Sequence, residues 1–161
     1  MCSSDLAKLR ALGAEGRIAA VFHAAALCDY RVRSIENSSG RIASGGKIAS
    51  RDGALTLHLE PATKVISQIR AWFPRSLIVG WKYELDGTCT STLERARRQI
   101  AENATDECVA NGRAYGAGFG FLEAAGQLTP IADKARLCAF LASWLHAQRE
   151  GVREKISAVP A

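Results

Sequence analysis

Ile18-Ala19-Ala20-Val21-Phe22-His23-Ala24-Ala25-Ala26-Leu27-Cys28-Asp29-Tyr30 is the stretch whose reading decides the fold. An apolar run leads into three alanines, then an acid and an aromatic. A buried parallel strand that stops at a ligand has this form. Residues without side-chain bulk let a flat ring or a phosphate approach the backbone. Asp29 then follows at the strand's carboxyl end, where open α/β sheets bind their ligands. An ordinary strand followed by a turn has the same form over so short a stretch, so the rest of the chain must decide.

Two further segments repeat the pattern. Ser76 to Trp81 (SLIVGW) is an apolar strand followed by Lys82-Tyr83-Glu84, and Cys108-Val109-Ala110-Asn111 is a short strand that runs into Gly112. Helices separate the strands. Val65, Ile66, Ile69 and Phe73 recur at helical spacing from Thr63 to Trp72, and Pro74 closes that segment. Thr90 to Asn103 turns Leu93, Ala96 and Ile100 inward and Arg95, Arg97, Arg98 and Glu102 outward. Asp5 reads as the cap of a short helix through Leu6, Leu9 and Leu12, ending near Gly13 or Gly16. A last amphipathic helix is expected from Asp133 to Arg149, and 151–161 read as a tail without core pattern. Strands alternating with helices imply an α/β fold with a mainly parallel sheet covered on both sides. The tips at 24–29, 81–84 and 109–112 are then expected side by side at one sheet edge.

The remaining segments are less regular. Residues 31–53 are polar and Gly/Ser-rich and are expected to form a long loop. Ala54 to Leu59 alternates with period two, as a half-exposed strand does. Gly112, Gly116, Gly118 and Gly120 punctuate an expected loop, and Gln127 to Ile131 is expected to add an edge strand.

The 161 residues suffice for one domain with a real core. A net charge of +5 is dispersed among 21 basic and 16 acidic residues, which argues against a nucleic-acid partner. Arg95, Arg97 and Arg98 read as a solvated helix face. Five cysteines without a C-x-x-C pair fit neither a metal site nor a disulfide framework, so reduced thiols and a cytoplasmic location are expected. Cys108 and Cys138 read as core, and the three histidines as packed or surface residues. No apolar run approaches the length of a membrane helix, so no membrane partner is expected.

The chain resembles phosphopantothenate–cysteine ligase, the C-terminal part of the DNA/pantothenate metabolism flavoproteins. Ala24 to Arg31 resembles that family's A-A-A-V-x-D-Y/F motif and Lys47-Ile48-Ala49-Ser50 its K-I-x-S/K loop. Val79-Gly80-Trp81-Lys82-Tyr83-Glu84 resembles V-G-F-x-x-E-T, Val109-Ala110-Asn111 resembles V-A-N-D, and Gly118-Phe119-Gly120 the following G-F-G/N. Five motifs in the right order make the resemblance specific. It implies a Rossmann-like three-layer sandwich and a homodimeric ligase of coenzyme A biosynthesis. In that reaction CTP or ATP, with Mg²⁺, activates the carboxylate of 4′-phosphopantothenate as an acyl nucleotidylate, and cysteine's amine displaces the nucleotide. A decarboxylase domain often precedes the ligase, and no bound flavin is expected in the present portion. Carried over residue by residue, Ala24, Ala25 and Ala26 let the nucleotide approach and Asp29 holds its base or sugar. Lys47 reaches the phosphates or is an exposed loop lysine, and Trp81 contacts the nucleotide or fills the core. Asn111 falls at the substrate, and no protein metal ligand is implied.

Several positions depart from the family pattern. Two lysines that bacterial members direct to the triphosphate align with Gln99 and Asn103, and Lys82 is the cation expected to replace them. The family's opening strand, Gly-rich phosphate loop and R-x-x-x-N-x-S-S-G helix start have no counterpart. The catalytic residues, the asparagine and arginine of that segment, are therefore left unassigned, and the first strands of the sheet are expected to be missing. An open sheet edge then favours self-association. Met1-Cys2-Ser3-Ser4-Asp5-Leu6 reads as the translation of a common sequencing adaptor, so residues 1–6 are set aside as a non-native leader and 7–150 taken as the ligase-like domain. Two other readings are weighed: a non-catalytic nucleotide-binding half-domain, and an NAD(P)-dependent reductase. The second would need a Y-x-x-x-K pair, and neither Tyr30, Tyr83 nor Tyr115 has Lys four residues later.

Overall fold

The computed structural model describes residues 3–25, 27–38, 40–42, 48 and 53–157. In chain order the elements are α1 (Ser3–Ala14), β1 (Ala20–His23), β2 (Tyr30–Asn37), β3 (Gly40–Ile42), β4 (Thr56–Pro61), α2 (Ile66–Trp72), β5 (Leu77–Tyr83), α3 (Cys89–Asn103), β6 (Glu107–Asn111), β7 (Phe119–Glu123), β8 (Leu128–Ile131) and α4 (Lys134–Ser157). They fall into two units, residues 26–65 and the remainder.

The larger unit is built on a five-stranded sheet of order β1-β5-β6-β7-β8. β1, β5 and β6 run parallel, and β7 and β8 add antiparallel pairs. β5 and β6 read as unbroken apolar runs because both their faces are covered, whereas β1, at the sheet edge, leaves Phe22 exposed. On one face Val79, Val109, Phe121 and Ile131 pack with Leu137 of α4, joined by Trp81, Phe119, Phe140, Leu141 and Trp144. Phe121 meets the rings of Phe140 and Trp144 edge-on at 4.9 and 5.4 Å. On the other face Cys108, Ala110 and Leu122 pack against Ala96 and Ile100 of α3. Gly80 has no room for a side chain on that face, since a Cβ would stand 2.7 Å from Gln99 Nε2 and 3.3 Å from Ile66 Cδ1.

Local chemistry fixes the ends of α3. The Thr88 hydroxyl accepts the Ser91 N–H at 3.2 Å, while the Ser91 hydroxyl accepts the Thr88 N–H at 2.9 Å, a reciprocal cap. The helix stops at Ala104, whose φ of 50° is left-handed and whose N–H donates to the Ile100 carbonyl.

The smaller unit is an antiparallel sheet of order β3-β2-β4. Its registers pair Val32 with Leu59, Ile35 with Leu57 and Ile35 with Ile42, so one face is apolar. The other face carries Arg31 against Glu60 and Glu36 against Thr56; Arg31 Nη2 lies 2.6 Å from Glu60 Oε1, and His58 Nε2 lies 3.2 Å from Glu36 Oε2.

Several expectations are corrected. The segment read as a loop over 31–53 contains β3 and all of β2 but its first residue, Tyr30. A bulge between Val32 and Ser34 breaks the two-residue alternation that would have marked β2. β7 lies where a glycine-punctuated loop was expected, and its Phe121 and Leu122 are fully buried. Asp5 falls inside the first turn of α1 rather than at its cap, and α4 continues to Ser157. Cys108 is buried as expected, but Cys138 is exposed on α4.

Candidate functional site at the carboxyl edge of the parallel strands

β1 ends at His23, where the Ala24 N–H turns back to the Phe22 carbonyl at 3.2 Å. His23 pairs with Gly80, so β5 continues three residues beyond the end of β1, through Trp81, Lys82 and Tyr83. Tyr83 in turn pairs with Asn111, the last residue of β6. The tips of β5 and β6 therefore lie side by side, β1 stops three residues short of them at the same edge, and Ala24 and Ala25 leave the sheet there. Ala26 and Lys47 lie outside the described residues. Asp29 belongs to the smaller unit, where its carbonyl accepts the Ala62 N–H at 2.7 Å.

Two buried polar atoms stand at these tips without a hydrogen-bond partner among the described residues: His23 Nε2 and Asn111 Oδ1. A buried polar atom left unpaired is costly, and a bound ligand is one way to satisfy it. Burial pushes the His23 imidazole pKa down, against the pull of a hydrogen bond with its own backbone. Neutral imidazole is the form favoured there.

Glu84 ties the edge together. Its N–H donates to the Asn111 carbonyl at 3.0 Å, and its own carbonyl accepts the Ala114 N–H at 3.1 Å. Gly112, at φ 112°, lies so close that a Cβ would fall 2.3 Å from the Glu84 carbonyl oxygen. Only glycine meets both demands. The Glu84 carboxylate lies 3.2 Å from Lys82 Nζ and is also bound by the Arg95 guanidinium of α3. Burial pushes this carboxyl up, but Lys82 and Arg95 together outweigh it and hold it below the usual carboxylate range.

Trp81 and Lys82 are not brought to one face. Trp81 packs with the cluster against α4, whereas Lys82 pairs with Ala110 on the α3 face. The two positions that align with bacterial lysines are engaged in packing: Gln99 Nε2 donates to the Trp81 carbonyl at 3.2 Å, and Asn103 Nδ2 donates to the Gln99 carbonyl at 2.8 Å. Sequence reading missed Glu84 as a hub and took Arg95 as solvated. The Lys82-x-Glu84 spacing, with both residues on one side of an extended strand, was the available signal. Among the described residues, no three His, Cys, Asp or Glu side chains gather to hold a metal, and no helix is long and apolar enough to cross a membrane.

An open sheet with helices on both faces and three parallel tips at one edge defines an α/β protein of Rossmann-like architecture. The model of the DNA/pantothenate metabolism flavoprotein C-terminal domain matches residues 9–140, and the chain belongs to that family. Among solved structures, the DNA/pantothenate metabolism flavoprotein from Streptococcus pneumoniae superposes with a TM-score of 0.75 at 22% identity, over 91% of this chain and 70% of that one. The C-terminal domain of the coenzyme A biosynthesis bifunctional protein CoaBC gives 0.61 at 14% identity, over 92% of this chain and 63% of that one. A Cab2 mutant in complex with phosphopantothenate-cysteine gives 0.62 at 13%, over 95% of this chain and 52% of that one. These likenesses establish a shared fold. The comparison with curated proteins returned no match.

Proposed function

We propose that this chain works in coenzyme A biosynthesis as a phosphopantothenate–cysteine ligase domain. Family membership over residues 9–140 supports this reading, and the observation that carries it is that the parallel strands β1, β5 and β6 all end at one edge of the sheet. In the proposed reaction a carboxylate oxygen of 4′-phosphopantothenate attacks the α-phosphorus of CTP or ATP and pyrophosphate leaves. The amine of cysteine then attacks the acyl carbon, an amide forms and the nucleoside monophosphate departs. Such chemistry needs no protein nucleophile. It needs amide donors and cations aimed at developing phosphate charge.

The chain's residues take these roles. The roles that the resemblance carries over fall to Ala24, Ala25 and Ala26 for the nucleotide's approach, to Asp29 for its base or sugar, and to Lys47 and Lys82 for its phosphates. Trp81 supports the strand tip from the α4 side. Asn111 offers its unpaired Oδ1 to the substrate. Mg²⁺ enters with the nucleotide as its counter-ion. The assembly proposed is a homodimer.

The test is amide formation from 4′-phosphopantothenate and cysteine with CTP or ATP, measured for this chain and for a version extended by the family's strand, phosphate loop and R-x-x-x-N helix start. Turnover is expected from the extended protein and little or none from this chain. An extended protein that folds yet forms no amide with either nucleotide overturns the reading.

A further inference from the structure

The amino end of the parallel strands holds a cavity that the proposed reaction does not use. It has a volume of about 410 Å³ and lies between the connection from α1 to β1 and the connection from α2 to β5. Small-molecule sites span about 300–1,000 Å³, and this cavity falls in that range. Ile18, Trp72, Phe73 and Pro74 give it apolar walls, and Arg75 stands among them. Close contacts fix the frame. Gly13 approaches α2 so closely that a Cβ there would stand 2.1 Å from the Trp72 carbonyl oxygen. The buried Ser76 hydroxyl donates to the Ile18 carbonyl at 2.6 Å and so joins the two connections at the foot of the strands.

Charge separates this cavity from a gap in packing. The Arg75 side chain is exposed, and its one hydrogen bond among the described residues runs from Nη2 to the Gly16 carbonyl at 3.5 Å. That distance is beyond the usual N–H···O range, so the guanidinium keeps its donors. Arg10 adds a second cation, its guanidinium 5.3 Å from the centre of the Trp72 ring. Neither arginine has a carboxylate partner among the described residues; Glu15, beside Gly16 in the chain, is taken by Arg17 at 3.0 Å. The carboxyl ends of α1 and α2 also face this region. Each contributes at most about half a negative charge, which the two full guanidinium charges exceed.

We propose that this cavity is a second ligand site, remote from the strand tips, for a small aromatic monocarboxylate whose ring lies against Trp72 and Pro74 and whose carboxylate pairs with Arg75. A single guanidinium at the rim suits a single carboxylate, which it can hold by two parallel hydrogen bonds. The flat indole beside it suits a flat ring. The site is independent of any nucleotide chemistry at the carboxyl edge.

The probe is indole-3-acetate, titrated calorimetrically into the full chain at low salt, with indole-3-acetamide as its uncharged counterpart. A dissociation constant of about 0.1–1 mM is expected for an acid of this size. The amide should bind about tenfold more weakly. Arg75→Gln should weaken the acid about tenfold and leave the amide unchanged, so that the two probes become equal. Its circular dichroism spectrum should match the wild type, because the side chain makes no strong contact. Location is read separately. Of the three tryptophans, Trp72 lines the cavity, whereas Trp81 and Trp144 pack with the cluster of Val79 and Phe121. The acid should shift the indole N–H resonance of Trp72 and leave those of Trp81 and Trp144 in place. No binding by the wild-type chain, a preference for the acid that survives in Arg75→Gln, or binding that leaves the Trp72 resonance unmoved overturns the proposal.

Discussion

Arg70 Nη2 lies 2.7 Å from Asp106 Oδ2, and the same oxygen accepts the Ile78 N–H at 2.6 Å, so one carboxylate joins α2 to the amino ends of β5 and β6. Arg70 also donates to the Ala104 carbonyl at 2.8 Å and the Ser76 carbonyl at 2.9 Å. The guanidinium fork closes the end of the sheet opposite the candidate site. It satisfies the Ala104 carbonyl, at the turn after α3, that no helix bond reaches.

Replacing Arg70 by Ala removes three charge-assisted hydrogen bonds and leaves Asp106 without its cation. With side chains 29% and 37% exposed, solvent softens the loss, and a destabilisation of about 2 kcal/mol is expected. Arg70→Lys should recover less than half of it, since an ammonium cannot reach three acceptors in a plane. Urea midpoints check this. An unchanged midpoint for Arg70→Ala would show that the fork contributes nothing.

Glu107 makes the stability of the larger unit depend on pH. Burial raises its carboxyl to about 7, helped by the negative charge of Glu123, opposed by the Ala124 N–H and helped again by Asp106. Glu123 is its direct cross-strand partner, and Glu107 Oε2 is buried without a partner among the described residues. An acid whose folded pKa lies above its unfolded value favours the folded state only while protonated. Stability is therefore complete below about pH 4.5 and is lost as pH rises through about 7. Discounted for partial solvent access, the loss is expected to be about 1–2 kcal/mol. Glu107→Gln should be more stable than the wild type at pH 8 and indistinguishable at pH 4.5. Parallel stability profiles for the two proteins would exclude the effect.

β5 and β6 were legible because burial on both faces writes them as apolar runs: Ile78, Val79 and Val109 are fully buried. The strand tips were legible for the same reason, since Ala24, Lys82 and Asn111 break those runs where the sheet ends. β2 was not, because its bulge places Val32 and Ile35 three apart on one face, a spacing that breaks the strand's period of two and is shared with a helix. β7 was hidden by Gly118 and Gly120 flanking Phe119. A Cβ on Gly120 would stand 2.6 Å from the Tyr115 hydroxyl, so tertiary packing, not a turn, demands that glycine. The Glu84–Arg95 contact crosses a loop, and no local periodicity reports it.

The smaller unit predicts how the proposed homodimer forms. Tyr30, Val32, Leu57 and Leu59 are 59%, 48%, 51% and 56% exposed, yet the register sets Val32 against Leu59 on one apolar face. A sheet face of this composition is a liability unless it is covered. A second copy offers the same face, and a two-fold contact is self-complementary. Leu59→Glu places an unpaired charge at the centre of that contact. An effect of about 3 kcal/mol raises the dimer dissociation constant by roughly a hundredfold. Sedimentation velocity at micromolar concentration should then report a dimer for the wild type and a monomer for Leu59→Glu, with Arg33→Glu, on a side chain 71% exposed, as a charge control that stays dimeric. A wild-type monomer, or a Leu59→Glu protein that remains dimeric, would show that this face does not join two copies.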